Sequence, residues 1–303
     1  MDTPPVQENL KMGRKVGCPR PGYMLRIEGD AGFYRPKRLS DAIRLKKSLG
    51  DKAMVVAGGT LAVQLLNKYL VEPEAIISLE DLPLSYVKMV GRRVEIGATT
   101  TVAALLKHQG LPQALAEAAR SIHGLALREA ATVGGNLMAP APSGDLATAL
   151  MALDAEVLLR GSRGARAVPL SKFYRGALQY NIRRDELIYA VRVRRAPNFS
   201  SFRKFTAYRY SGPTIASVAV GLDLDRRRIR RAAVSVGGLT THPYRATAAE
   251  KALTGREPAR ETFEDAAQRV ADGVSITHGL YSDAYLRRLA SVLFVRAVEK
   301  VMS

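Results

Sequence analysis

From residue 33 onward, short apolar runs and stripes of helical period follow one another along the chain. Ala42, Ile43, Leu45 and Leu49 recur at helical spacing, with Ser40 or Asp41 available as a cap and Gly50 as a stop. Residues 53–56 are continuously apolar over strand length. Leu61, Val63, Leu65, Leu66 and Leu70 then suit an amphipathic helix, and residues 75–79 form the next strand. The pattern predicts a βαβ unit whose first turn is the glycine pair Gly58-Gly59.

The rhythm changes at Tyr86. Residues 87–90 and 94–97 flank Gly91-Arg92-Arg93 as a hairpin, Thr99 to Thr101 can start a helix carrying Val102, Leu105 and Leu106, and residues 111–127 read as another helix. Residues 155–159 and 186–191 read as strands of the same lobe, and Pro197-Asn198 breaks the chain. Beyond it, strands at 201–208, 215–222 and 229–236 predict a three-stranded antiparallel meander. Helices at 245–254, 259–273 and 282–302 follow, the last with Tyr285, Leu286, Leu289, Leu293 and Val301 on one stripe. The expected division is an extension at 1–31 with the Pro- and Gly-rich composition of partial disorder, a first lobe at 32–85, a second at 86–197 and a C-terminal domain at 198–303.

Length and composition narrow the class. A chain of 303 residues that is 47% apolar can bury a substantial core. No apolar run approaches the roughly 18–20 residues of a membrane helix, and Met1-Asp2-Thr3-Pro4-Pro5 lacks a secretion signal, so no membrane span and a cytoplasmic location are expected. Cys18 is the sole cysteine, so the chain cannot supply the thiolates of an iron–sulfur cluster. The formal charge of +18 would suit nucleic acid or an acidic protein. The basic residues fall in short runs such as Arg226-Arg227-Arg228 without interleaved aromatics or a nucleic-acid motif, which favours a solvated surface.

The candidate chemistry lies in two loops, Ala57-Gly58-Gly59-Thr60 and Thr132-Val133-Gly134-Gly135-Asn136, each after an apolar stretch that reads as a strand. A glycine pair lets the backbone approach a ligand and turn N–H groups toward it, and a helix N-terminus adds partial positive charge. Two such loops suggest a bound dinucleotide. No nucleophile stands beside a base, no paired carboxylates suggest acid–base work, and His123, His242 and His278 are too scattered for a metal site. The chain is expected to lend its chemistry to a cofactor.

These loops occur in an ordered set: Phe33-Tyr34-Arg35-Pro36, Ala57 to Leu61, Ile96-Gly97-Ala98-Thr99-Thr100, Ala131 to Leu137, Ser143-Gly144-Asp145, Leu153 to Val157, Arg203-Lys204-Phe205, Gly237-Gly238 and Pro243 to Ala246. In this the sequence resembles the medium, FAD-binding subunit of the molybdenum hydroxylases, over roughly residues 33–300. The resemblance implies an α+β fold. It would have a two-lobed FAD-binding domain of the PCMH/vanillyl-alcohol-oxidase type and a C-terminal domain of antiparallel sheet plus helices.

By the same resemblance, Ala57, Gly58, Gly59, Thr60 and Leu61 would hold the FAD pyrophosphate, while Thr132, Gly134, Gly135 and Asn136 would contact the cofactor from the other lobe. Asp145 would accept a hydrogen bond from a cofactor hydroxyl, Ile188 would pack on the flavin system and Lys204 would reach it from the C-terminal lobe. Competing structural roles are a tight turn for Gly58-Gly59, helix capping for Asp145 shared with Ser143, and surface charge for Lys204.

The implied partners are a large molybdopterin-binding subunit, a small [2Fe-2S] subunit and an external electron acceptor. Glu129 departs from the family pattern, where Asn commonly follows the arginine, and residues 1–31 have no counterpart. Two rival classes remain: a stand-alone FAD oxidase, which would need a cap domain longer than any free segment, and a basic nucleic-acid-binding protein, which would be colourless and salt-sensitive.

Overall fold

The computed structural model describes residues 32–139, 144–208, 211–225, 227–277 and 279–302. The expected extension at 1–31, Ser143 as a capping residue and His278 lie outside them.

The first lobe is a parallel three-stranded sheet in the order β1-β3-β2. Its elements are β1 (Gly32–Tyr34), α1 (Leu39–Leu49), β2 (Ala53–Val56), α2 (Ala62–Asn67) and β3 (Ala75–Ser78). The predicted βαβ unit is present, with β2 and β3 paired in parallel around α2. Ala42, Ile43 and Leu45 of α1 are buried against Ala53 and Ile77. Neither Ser40 nor Asp41 caps α1, because both lie inside its first turn, and Asp41 instead accepts from Arg38 at 2.9 Å and from Arg44.

The second lobe is an antiparallel five-stranded sheet in the order β4-β5-β10-β6-β7. It runs through β4 (Val87–Val90), β5 (Arg93–Gly97), α3 (Val102–Leu106), α4 (Gln113–Ser121), α5 (Leu125–Ala130), α6 (Val133–Leu137), α7 (Asp145–Ala152), β6 (Glu156–Gly161), β7 (Gly164–Pro169), a hairpin of β8 (Tyr174–Gly176) and β9 (Gln179–Tyr180), and β10 (Leu187–Val193). Thr101 caps α3 by accepting from the Ala104 amide at 3.1 Å, as the threonine run predicts.

Two expectations change here. The single helix at 111–127 is two helices, broken where Gly124 adopts φ 91°. The second glycine loop follows helix α5 rather than a strand, and its glycines open the short helix α6. Alanine-rich composition carries no mark of such a break except the glycine itself.

The C-terminal part is an antiparallel sheet of β11 (Phe199–Tyr208), β12 (Ser211–Leu224), β13 (Ile229–Gly237) and β14 (Tyr244–Arg245), packed by α8 (Thr247–Leu253), α9 (Arg260–Gln268) and α10 (Asp283–Met302). The predicted meander thus gains a fourth strand, two residues long and too short to leave an alternation. Phe263, Leu286, Leu293 and Phe294 fill the core between the helices and the sheet. Every residue of α7 is buried, because it touches both β12 and β13 as well as its own lobe.

Candidate cofactor site

A cavity of about 600 Å³ lies where the two glycine loops face each other, within the roughly 300–1,000 Å³ of small-molecule sites. Ala57, Gly58, Gly59, Thr60 and Leu61 form one wall. Thr132, Gly134, Gly135 and Ile188 contribute to the other. Asn136, Asp145 and Lys204 are not among its lining residues.

The two glycines of the first loop do different jobs. Gly59 has φ 72°, a conformation disfavoured for side-chain-bearing residues, and a Cβ there would find its nearest neighbour 3.7 Å away. Gly58 is required for a close approach, since a Cβ would lie 1.7 Å from the Ala130 carbonyl oxygen at the end of α5. A bare turn would explain Gly59 alone; the seam between the lobes explains Gly58.

Hydrogen bonding separates the loops further. The amides of Gly58, Gly59, Thr60 and Leu61 donate to no protein acceptor among the described residues, while the carbonyls of Gly59, Thr60 and Leu61 accept from Val63, the Gln64 side chain and Leu65. Free amides lining a cavity need a partner, and an anionic group satisfies them. Helix α2 has only six residues, so these amides rather than a long helix dipole supply the positive potential.

In the second loop the amides are engaged internally. Val133 donates to Thr100 at 2.9 Å, Gly134 to Ala98 at 2.9 Å, Gly135 to Thr132 Oγ1 at 3.2 Å and Asn136 to the Thr132 carbonyl at 2.9 Å. That loop offers a close, side-chain-free surface instead of donors. A cradle with donors on one side and a smooth wall on the other fits a dinucleotide diphosphate.

The rest of the cavity comes from segments that the motifs did not single out. Met54, Leu65, Leu79, Met138, Tyr180 and Ile182 make it apolar, and Arg183 and Arg184 stand at its rim. Lys46 also lines it but donates to the Gly50 and Ala53 carbonyls at 2.7 and 3.1 Å. Glu186 is only 3% exposed. It receives Arg166 Nε and Nη2 at 2.7 Å each and the Arg183 amide at 2.7 Å. Burial pushes this carboxyl up, but the Arg166 guanidinium and the Arg183 amide outweigh burial and hold it below the usual range. The pair fastens residues 181–186 to β7. Its trace in the sequence was the charged quartet Arg183-Arg184-Asp185-Glu186 set before an apolar strand.

Asp145, Lys204 and Asn136 form a separate cluster between the second lobe and the C-terminal sheet. Asp145 Oδ2 accepts from Lys204 Nζ at 2.8 Å and Oδ1 from Thr214 Oγ1 at 3.0 Å. Burial pushes the Asp145 carboxyl up, opposed by Lys204 and Thr214. Neither competing role holds for this pair as stated. The α7 amide of Leu146 is capped by Asn136 Oδ1 at 3.0 Å, not by Asp145, and the Lys204 side chain is only 10% exposed. Thr214 could not have been singled out, since a threonine in a strand carries no signal.

Two family models match this chain. The FAD binding domain in molybdopterin dehydrogenase matches residues 26–195, and the CO dehydrogenase flavoprotein C-terminal domain matches residues 203–301. The chain belongs to this family. It is 29% identical to the carbon monoxide dehydrogenase medium chain of Afipia carboxidovorans, over 90% of this chain and 97% of that one. It is 25% identical to the glyceraldehyde dehydrogenase medium chain of Sulfolobus acidocaldarius, over 89% and 97%. The fold matches a chain of the reconstituted CO dehydrogenase from Oligotropha carboxidovorans with a TM-score of 0.83 at 28% identity, covering 90% of this chain and 98% of that one. A chain of quinoline 2-oxidoreductase from Pseudomonas putida 86, at 20% identity and a TM-score of 0.80 over 90% and 97%, shares the fold. Among the described residues, no helix is long and apolar enough to cross a membrane.

Proposed function

We propose that this chain is the FAD-binding, electron-transfer subunit of a heteromeric molybdenum hydroxylase. The observation that carries the reading is the row of unpartnered amides at Gly58 to Leu61, facing a cavity bounded by both lobes. Those amides would hold the diphosphate. Thr132, Gly134 and Gly135 would let it approach the second lobe, and Ile188 with the neighbouring apolar side chains would exclude water from its flanks. Asn136, by capping α7, and Lys204, by pairing with Asp145, would fix the carboxylate that accepts a hydrogen bond from a cofactor hydroxyl.

When bound, FAD supplies the one- and two-electron chemistry that links an iron–sulfur donor to an external acceptor. The chain's own residues bind, orient and shield it. Its relatives are medium chains of dehydrogenases, which supports a large molybdopterin subunit and a small [2Fe-2S] subunit as partners. The charge of +18 suits docking against acidic surfaces. Residues 32–85 and 86–197 would act as the two jaws of the cofactor site, with 198–303 packed behind them.

Purification of the native complex with its metal and flavin content tests this. A yellow preparation with flavin absorption, two further chains, molybdenum and iron is the expected result. A colourless single chain that takes up no FAD would refute it.

A further inference from the structure

Beside the cofactor cavity opens a second concavity of about 450 Å³, walled by Lys47, Ser162, Arg163, Arg184 and Asp185. Its three cations come from separate segments. Lys47 lies in the last turn of α1, Arg163 in the β6–β7 turn and Arg184 in the loop before β10. The first belongs to the parallel-sheet lobe and the others to the five-stranded lobe, so the cleft spans the same boundary as the cofactor cavity. Arg184 lines both.

Two carboxylates, Asp185 and Asp51, stand near these cations and offset part of their charge. Asp185 Oδ2 accepts from the Ser162 amide at 2.9 Å and from Ser162 Oγ at 2.5 Å, which pins the turn that carries Arg163. Asp51 lies 3.4 Å from Arg184 Nε, but both side chains are largely exposed and such pairs are weak. Lys47 and Arg163 form no ion pair among the described residues. With Asp185 and Asp51 set against Lys47, Arg163 and Arg184 the cleft keeps a net positive charge, and a multiply charged anion bound there would be attracted to cations on both sides of the lobe boundary. Guanidinium forks and an ammonium are the groups that grip phosphate oxygens.

We propose that this cleft binds a phosphate-bearing anion, which clamps the two lobes together and slows release of FAD from the neighbouring cavity. The effect on FAD rests on the function proposed above; the anion site itself does not.

The test is calorimetric titration of inorganic pyrophosphate, and separately of ADP, into the FAD-saturated full chain at fixed ionic strength. The wild type is compared with the Lys47→Ala/Arg163→Ala double variant. Neither residue lines the cofactor cavity and both are exposed, so the variant is expected to fold normally by circular dichroism. Saturable pyrophosphate binding is expected, at least about tenfold weaker in the double variant, with FAD release slowed by the anion only in the wild type. ADP binding more tightly than pyrophosphate would identify a nucleotide as the source of the phosphates, and equal affinity a free phosphate. No saturable binding, or equal affinity in the variant, would overturn the proposal. Should the chain take up no FAD, the proposed function fails, and the same titration on the FAD-free chain still decides the anion site.

Discussion

Gly58→Ala probes the seam on which the cofactor cavity depends. The added Cβ would sit 1.7 Å from the Ala130 carbonyl oxygen and 2.7 Å from its carbon. These are backbone atoms, which no rotamer change can move. Restoring van der Waals contact requires the α5 terminus to retreat by roughly 1.5 Å. Because α5 leads directly into the second glycine loop, that retreat draws Thr132, Gly134 and Gly135 away from the amides of the first loop.

Overpacking of this kind costs about 1–3 kcal/mol, and at roughly 2–4 °C per kcal/mol the melting temperature should fall by several degrees. FAD affinity should fall by about tenfold or more, equivalent to ~1.4 kcal/mol of lost complementarity. Differential scanning fluorimetry with and without FAD, together with flavin fluorescence titration, reads both quantities. A variant with unchanged melting and unchanged FAD affinity would refute the assignment of Gly58 to the lobe seam.

Gly59→Ala and Gly91→Ala form a matched pair. Both residues have positive φ, 72° and 57°, with no neighbour closer than 3.7 Å to the new Cβ, so each should lose about 1–2 kcal/mol from backbone strain. Only Gly59→Ala should weaken FAD binding, as equilibrium titration will show. Lys204→Met leaves the buried Asp145 carboxyl without its cation and should destabilise the chain by about 3–5 kcal/mol in denaturant unfolding, with much of the loss recovered in Lys204→Met/Asp145→Asn. Glu186 titrates below its ordinary value of 4.5 in the folded chain. Its contribution is therefore complete above pH 4.5 and disappears as the pH falls through the lower folded value. The stability gap between wild type and Glu186→Gln should accordingly narrow on acidification below pH 4.5, and a pH-independent gap would contradict the Arg166–Glu186 pairing.

The elements easiest to read were those whose period and punctuation agreed. The β2–α2–β3 unit carries an apolar run, a glycine pair and an amphipathic stripe in succession, and β11 to β13 carry long alternations. Residues 111–127 were misread as one helix because alanine and leucine support helix throughout, so a break depends on backbone geometry at Gly124 that composition does not encode. The β8–β9 hairpin was missed because its strands are three and two residues long and its turn residue Leu178 adopts φ 54°, where glycine or asparagine would be the usual signal.

The site divides in the same way. Gly58 and Gly59 announce themselves because only glycine suits their positions. Arg166, Arg183 and Arg184 are lost among many arginines until the fold sets Arg166 of β7 against Glu186 and carries Arg183 and Arg184 to the cavity. Most instructive is the second glycine pair. Its sequence suggests the same amide cradle as the first, yet local bonds to Thr132 and bonds to the distant Ala98 and Thr100 consume those donors.

A crystal structure of the chain loaded with FAD is the most direct test that one diphosphate is held between the lobes by the first glycine loop. The diphosphate oxygens are expected within hydrogen-bonding distance of the Gly58 to Leu61 amides, with Gly134 and Gly135 packed on the opposite side. FAD bound elsewhere on the molecule, with those four amides still lacking an acceptor, would contradict it.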